Sequence, residues 1–208
     1  MPARDIYHNF LQLAGAESEG RDYRIELISR PGPVAILAPH GGGIEPGTAE
    51  LAAALAAEQH SLYIFDGCKL GESRRLHITS TRFDEPRCLG LLTQVMIVVA
   101  VHGCAGERQA VYTGGRDGPL QERVLHQLAQ DGFHAQPDKP ARAGLHPHNV
   151  CNRGRHGRGL QLELTEGLRR AMFHTLDRQG RQHPTPIFHR LVHSLSRALD
   201  EHLCHFKA

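Results

Sequence analysis

No apolar run in this chain approaches the roughly 18 residues of a membrane-spanning helix. The longest, residues 95–101, reads as a buried strand. The first ten residues, MPARDIYHNF, contain no apolar stretch long enough for a signal peptide. The five cysteines are odd in number, widely spaced and without a CxxC pair. That argues against a disulfide framework and for a reducing compartment. Charge of one sign is also lacking: the formal net charge is +2 with histidines neutral, which implies neither nucleic acid nor an acidic partner. No internal repeat is visible. The expectation is a monomer with no membrane and no nucleic-acid partner, cytoplasmic or released without a signal peptide.

What is present suits a single domain over residues 1–208, with its core at about 23–205. The chain is 40% hydrophobic and 22% charged, enough apolar surface for one compact core and too ordinary in charge for a disordered chain. Strands are expected at 23–29, 34–38, 61–65, 76–81, 96–101, 109–113, 133–136 and 160–164. Helices are expected at 48–59, 85–94, 118–130, 167–176 and 187–205. Residues 141–159, rich in Gly, Pro, His and Arg, read as a long loop. This alternation indicates an α/β domain with a mixed, mostly parallel sheet flanked by helices. Functional sites in such sheets gather beyond the carboxyl ends of strands.

Sixteen histidines are many for this length, and two stand at strand ends. In Pro39-His40-Gly41-Gly42-Gly43-Ile44-Glu45 a strand stops, three glycines allow a tight fold, and a carboxylate precedes a helix. Val101-His102-Gly103 places a second imidazole after the most apolar strand. Catalytic zinc takes three protein ligands and keeps one open position, and two His with one Glu form such a set. His40, Glu45 and His102 are therefore the candidate ligands of Zn2+. A phosphate loop is the other reading of the glycines, but no Lys-Ser/Thr follows them.

A metal hydrolase also needs a proton shuttle. Glu163, in Gln161-Leu162-Glu163-Leu164, serves if it faces inward, where burial raises its pKa; facing outward, it is only the polar half of an alternating strand. Arg82, at the end of an expected strand, would stabilise an oxyanion or hold Asp84. In the loop, Arg153 beside Asn152 is the better candidate for gripping an anionic substrate, while Arg155 and Arg158 read as solvated. Cys104 as a nucleophile beside His102 has an awkward geometry, and packing thiols are the alternative for it and Cys151.

These motifs, with Thr113-Gly114-Gly115-Arg116-Asp117 and Asn149-Val150-Cys151-Asn152-Arg153-Gly154, resemble the poly-γ-glutamate hydrolases of bacteriophages and bacteria. The resemblance runs from about Tyr23 to the last helix. It implies a compact relative of the zinc carboxypeptidases, zinc on His40, Glu45 and His102, Glu163 as general base, and a phage-related origin. It also implies cleavage of γ-glutamyl amide bonds in an anionic capsule polymer. Two other readings are a zinc peptidase or N-acyl amino acid deacylase, and a non-catalytic module that binds an anionic polymer. A thiol enzyme using Cys104 is a further one.

Overall fold

The computed structural model describes residues 5–206; residues 1–4 and 207–208, the ends of the expected 1–208 domain, lie outside the described residues. The described chain forms a seven-stranded mixed sheet. Its strands are β1 (Tyr23–Ile28), β2 (Val34–Gly42), β3 (Ser61–Gly67), β4 (Ile97–Cys104), β5 (Val111–Gly115), β6 (Ala135–Pro137) and β7 (Leu160–Thr165). The order across the sheet is β1-β3-β2-β4-β7-β5-β6. Strands β3, β2, β4 and β7 run parallel, β1 and β5 pair antiparallel to their inner neighbours, and β6 pairs parallel to β5. The helices are α1 (Phe10–Ala16), α2 (Thr48–Ala56), α3 (Pro86–Leu92), α4 (Gly118–Gln130), α5 (Glu166–Met172) and α6 (Pro186–Phe206).

Period-two alternation sends the two sides of each inner strand into separate cores. Val34, Ile36, Ile64, Val99, Leu160 and Leu162 pack against α2, α4, α5 and α6 through Leu51, Val124, Leu168 and Leu195. Ala35, Leu37, Tyr63, Phe65, Val98 and Ala100 meet α1 and α3 through Leu13, Leu91 and Leu92. Every residue of β2 is buried, as expected of a parallel strand covered on both faces.

The expected strand at 76–81 is not one. Ser73–Leu76 is a 3₁₀ turn and the chain after it is irregular. Leu76 and Ile78 are buried plugs under the second face of the sheet, so their alternation reflects packing without strand pairing. Helix α1 was not anticipated; Asn9 caps it by accepting from the Gln12 amide. Strands β2 and β4 continue past the expected stops, so His40 and His102 lie within their last residues. Strand β5 includes Gly114 and Gly115, and α5 ends before residue 176. The 141–159 loop holds only a 3₁₀ turn, Val150–Asn152. All five cysteines are free.

Helix α1 is tied down by a short polar chain. The Tyr7 hydroxyl donates to Glu17 Oε1 at 2.6 Å, and Lys69 Nζ donates to Glu17 Oε2 at 2.7 Å. Burial and the Glu17 acceptor push the Tyr7 phenol from 10.0 to about 12. Burial also acts to raise Glu17, but Lys69 and Tyr7 outweigh it and hold the carboxyl below its ordinary value. A raised acid stabilises the fold below its unfolded pKa, and a depressed one stabilises it above. The α1 attachment is therefore expected to loosen on two sides: as pH falls through the depressed Glu17 pKa, and as pH rises from 10 toward 12. Hydrogen exchange of α1 amides should accelerate in both windows relative to α4; uniform protection across pH would refute the attachment.

Candidate active site

The loop from His40 to Glu45 closes on itself. The Glu45 amide donates to the His40 carbonyl at 2.9 Å, and the Thr48 hydroxyl holds the Glu45 carbonyl at 2.9 Å. Gly42 makes this possible: its φ is +63°, and a Cβ there would stand 1.8 Å from Asp66 Oδ1. On the neighbouring strand, the Gly103 amide donates to Glu45 Oε2 at 2.8 Å. A Cβ at Gly103 would approach Glu45 Cβ to 3.1 Å and Arg169 Nε to 2.8 Å, so glycine beside His102 makes room for the Glu45 and Arg169 side chains.

This backbone brings three ligand-type groups together. His40 Nδ1 lies 3.1 Å from His102 Nδ1 and 3.3 Å from Glu45 Oε1, and His102 Nδ1 lies 3.7 Å from Glu45 Oε2. A tetrahedral cation bound at ~2.0–2.1 Å spaces its ligand atoms ~3.3–3.4 Å apart, so the donor set fits zinc. His40 Nε2 sits 2.8 Å from the Ile78 carbonyl. A carbonyl only accepts, so Nε2 carries the hydrogen and Nδ1 presents its lone pair to the cluster. Burial alone would raise the Glu45 carboxyl; positive charge on the His40 and His102 rings, when they carry a second proton, outweighs it and holds the carboxyl well below the carboxylate range.

His77, on the stretch misread as a strand, joins the cluster. Among the described residues, His40, Glu45 and His77 offer ligand atoms all within 4.8 Å of one another. The sequence signal for His77 was diluted by the many other histidines and by the expectation of a strand around it.

Glu163 faces the cluster's cavity. It pairs in register with His102 across β4 and β7, and both belong to the second sheet face. Over β7 that face is roofed by the 138–149 loop, forming a cavity of ≈ 390 Å³ lined by His40, Glu45, His77, His102, Arg142 and Glu163, among others. Burial, with the Glu45 and Asp138 charges, pushes the Glu163 carboxyl up to about 7 against the pull of His102 and Arg142. Gln161 Nε2 donates to Glu163 Oε1 at 3.1 Å, and Asn149 Nδ2 donates to Gln161 Oε1 at 2.8 Å, fixing which way the amide points.

The expected arginines lie elsewhere. Arg82 donates to Asp5 Oδ2 at 2.6 Å and to His8 Nδ1 at 2.6 Å. It holds Asp5 and not Asp84, because Asp84 Oδ1 accepts from the Phe10 amide. Arg153 donates to the Phe83 carbonyl at 3.3 Å. Both line a separate, neighbouring pocket that shares Thr81 with the cavity. Among the described residues, Arg142 is the one lysine or arginine lining the cavity. It is anchored by Asp138 at 2.8 Å and lies over the Tyr112 ring at 5.6 Å. Sequence reading missed it because nothing local separates it from the other loop arginines.

Asn152, expected to bind substrate, turns its polar atoms into the protein. It is buried, its Oδ1 accepts from the Arg116 and Gly159 amides, and its Nδ2 donates to the Gly144 and His146 carbonyls. Its polar capacity goes into tying the roof loop to the residues that follow β5 and precede β7. Burial pushes the Cys104 thiol up and the Cys151 thiol to about 12, which favours inert thiols over nucleophiles.

A family model for poly-gamma-glutamate hydrolase matches residues 7–194. The UPF0714 protein YndL of Bacillus subtilis (strain 168) is 39% identical over 174 residues, covering 82% of this chain and 68% of YndL. The SPbeta prophage-derived UPF0714 protein YoqZ of the same organism is 35% identical over 204 residues, covering 97% of this chain and 74% of YoqZ. The solved structure of a bacteriophage poly-gamma-glutamate hydrolase superposes with a TM-score of 0.94 at 31% identity, covering 96% of this chain and 99% of that one. A zinc-free apo form of YndL superposes with a TM-score of 0.90 at 35% identity, covering 95% and 98%. At 12% identity, N-formylglutamate amidohydrolase of Ralstonia eutropha shares the fold alone, with a TM-score of 0.52. These likenesses define the class: a hydrolase of mixed-sheet α/β architecture. More particularly, the chain belongs to the poly-gamma-glutamate hydrolase family.

If Asn152 is structural, Asn152→Ala strands the Arg116 and Gly159 amides and the Gly144 and His146 carbonyls. Unmade buried hydrogen bonds cost ~1–3 kcal/mol each, partly relieved by relaxation, so urea unfolding should show a loss of about 2–4 kcal/mol. Unchanged stability with selectively weakened substrate binding would restore the contact role.

Proposed function

We propose that this chain is a zinc-dependent hydrolase of γ-glutamyl amide bonds, with poly-γ-glutamate as the substrate class. The observation that carries this reading is the convergence of the His40 and His102 Nδ1 atoms on the Glu45 carboxylate, in a cavity that Glu163 faces. His40, Glu45 and His102 would hold the metal, a choice supported by their donor chemistry and by the existence of a zinc-free form of the relative YndL. Zinc bound there supplies a Lewis acid that acidifies water near neutral pH and draws charge from an amide carbonyl.

The remaining chemistry belongs to side chains. Glu163 takes the proton of the attacking water and returns it to the departing nitrogen. A carboxyl pushed up to about 7 suits both directions of transfer near neutrality. Gln161 holds Glu163 Oε1 and leaves Oε2 for the reacting water. Arg142 stands where Arg82 or Arg153 was expected to act: it is the cation that meets the substrate, and its guanidinium matches a carboxylate or a developing oxyanion. Poly-γ-glutamate carries one carboxylate per repeat, so an arginine held in the cavity favours that polymer over neutral amides. Arg153, in the adjoining pocket, remains placed for a carboxylate farther along the chain.

The purified protein loaded with zinc should shorten poly-γ-glutamate and lose that activity to a chelator, regaining it when zinc is restored. Short α-linked peptides and N-acyl amino acids serve as competing substrates, and preference for either would reassign the specificity. Glu163→Gln should bind zinc as the parent does and lose about 10²–10⁴-fold in kcat. A Glu163→Gln protein that turns over normally removes this carboxyl from the chemistry.

A further inference from the structure

One guanidinium stands behind the active edge of the sheet. Arg169 lies in the last turn of α5 and is 5% exposed. Its Nε donates to the Leu164 carbonyl at 3.2 Å, Nη1 to the Pro46 carbonyl at 2.9 Å and Nη2 to the Cys104 carbonyl at 3.2 Å. A buried cation is costly unless its donors are satisfied. Among the described residues Arg169 forms no ion pair, and the Glu45 and Glu166 charges act on it from farther away. Each of the three carbonyls comes directly after a group of the site. Pro46 follows Glu45, Leu164 follows Glu163, and Cys104 follows Gly103, whose amide donates to Glu45 Oε2 at 2.8 Å. The sheet itself leaves a gap at this place. β4 and β7 pair as far as Cys104 and Thr165, but β2 and β4 pair only as far as Leu37 and Ala100. The ladder therefore holds Glu163 beside His102 and leaves the turn that carries Glu45 unpaired to β4.

We infer that Arg169 is a positioning residue for the proposed hydrolysis: it bridges the gap between β2 and β4 and fixes the Glu45 carboxylate relative to Glu163. The inference rests on the reading of His40, Glu45 and His102 as the metal site. Arg169 does not line the cavity; it acts through the three carbonyls and leaves the coordination position for water open. Three carbonyls in different directions call for the rigid fork of a guanidinium, which the compact ammonium of a lysine does not present. The Gly103 amide and Arg169 work on the same turn, one on the Glu45 carboxylate and the other on the Pro46 carbonyl beside it.

Arg169→Lys keeps the charge and removes the fork. In chelator competition, below the thermal midpoint of the metal-free variant, it should bind zinc ~10–100-fold more weakly than the parent, as when a partner behind a metal ligand is lost. Its kcat on poly-γ-glutamate should fall by a similar ~10–100-fold with KM unchanged, since Arg142 is untouched. The absorption spectrum of the Co2+-loaded variant should differ from the parent's. Arg181→Lys is the control: Arg181 is also buried, but it bonds Glu50 and the Leu176 carbonyl, both at 2.6 Å, and should keep the parent's zinc affinity, kcat and spectrum. Parent-like zinc affinity and kcat in Arg169→Lys overturn the inference and leave the proposed function standing, as does an equal loss in Arg181→Lys. A parent protein that takes up no zinc and leaves the polymer intact overturns both. Should Arg169→Lys not fold, the parent decides: its Arg169 Nε–H should exchange slowly in 15N spectra, and fast exchange removes the fork and the inference with it.

Discussion

Two imidazole nitrogens 3.1 Å apart, each within reach of the same half-buried carboxylate, are a constraint that the rest of the molecule serves. His40 Nδ1 presents a lone pair, because its other nitrogen is committed to the Ile78 carbonyl. If His102 Nδ1 did the same, two lone pairs and an anionic oxygen would face one another with no hydrogen between them. Only a shared proton or a cation reconciles the three at that spacing. The cost of assembling such a cluster is met by the fold around it. β2 is buried along its whole length, Gly103 donates to Glu45, and the loop from residue 40 to 45 is closed by its own backbone. The chain places these groups where they are unfavourable alone and favourable around a divalent ion.

Parallel pairing sets their height. β2 pairs with β4 with Leu37 opposite Ala100, and β4 pairs with β7 with His102 opposite Glu163. Adjacent strands that run the same way end at the same edge, so residues at their carboxyl ends become neighbours without any loop having to carry them there. The cavity is then completed by irregular chain: residues 77–81 on one side and 140–149 on the other. His40, His102 and Glu163 stand on the sheet and Glu45 on the turn that leaves β2, while most groups that would meet a substrate stand on loops.

That division explains how far the sequence could be read. Apolar runs ending in His40 and His102 mark strand ends directly, and the bounds of α4 follow from Asp117 and Gly118-Pro119 at its start. Glu163 was readable only as far as its parity. It does occupy the polar half of an alternating strand, but that half faces a roofed cavity, and whether a polar face is wet depends on a loop more than a dozen residues away in sequence. The 76–81 stretch shows the opposite failure. Leu76 and Ile78 alternate with polar residues because they plug the underside of the sheet, a tertiary cause that produces a strand-like pattern. Arg142 and Arg153 share one basic loop, and only the folded backbone separates the arginine in the cavity from the one outside it. Asn152 looked like a substrate ligand because asparagine beside arginine suits carboxylates, yet its four hydrogen bonds turn inward.

The same division bears on substrate choice. Chemistry that depends on strand-end residues persists wherever the sheet is kept. Recognition that depends on the 138–149 roof changes whenever that loop changes, since loops accept substitutions that a doubly covered sheet does not. The Asp138–Arg142 pair ties the cavity's cation to the roof, and the roof to β5, whose Thr113 carbonyl accepts from the Asp138 amide and whose Tyr112 ring lies under the guanidinium. A relative with the same β2, β4 and β7 ends but no arginine at this point of the roof would keep the metal-binding groups and Glu163 while losing the charge that favours an anionic polymer. In the proposed reading the reaction is set by the sheet and the turn that leaves β2, and a preference for acidic chains by the Arg142 guanidinium anchored above them.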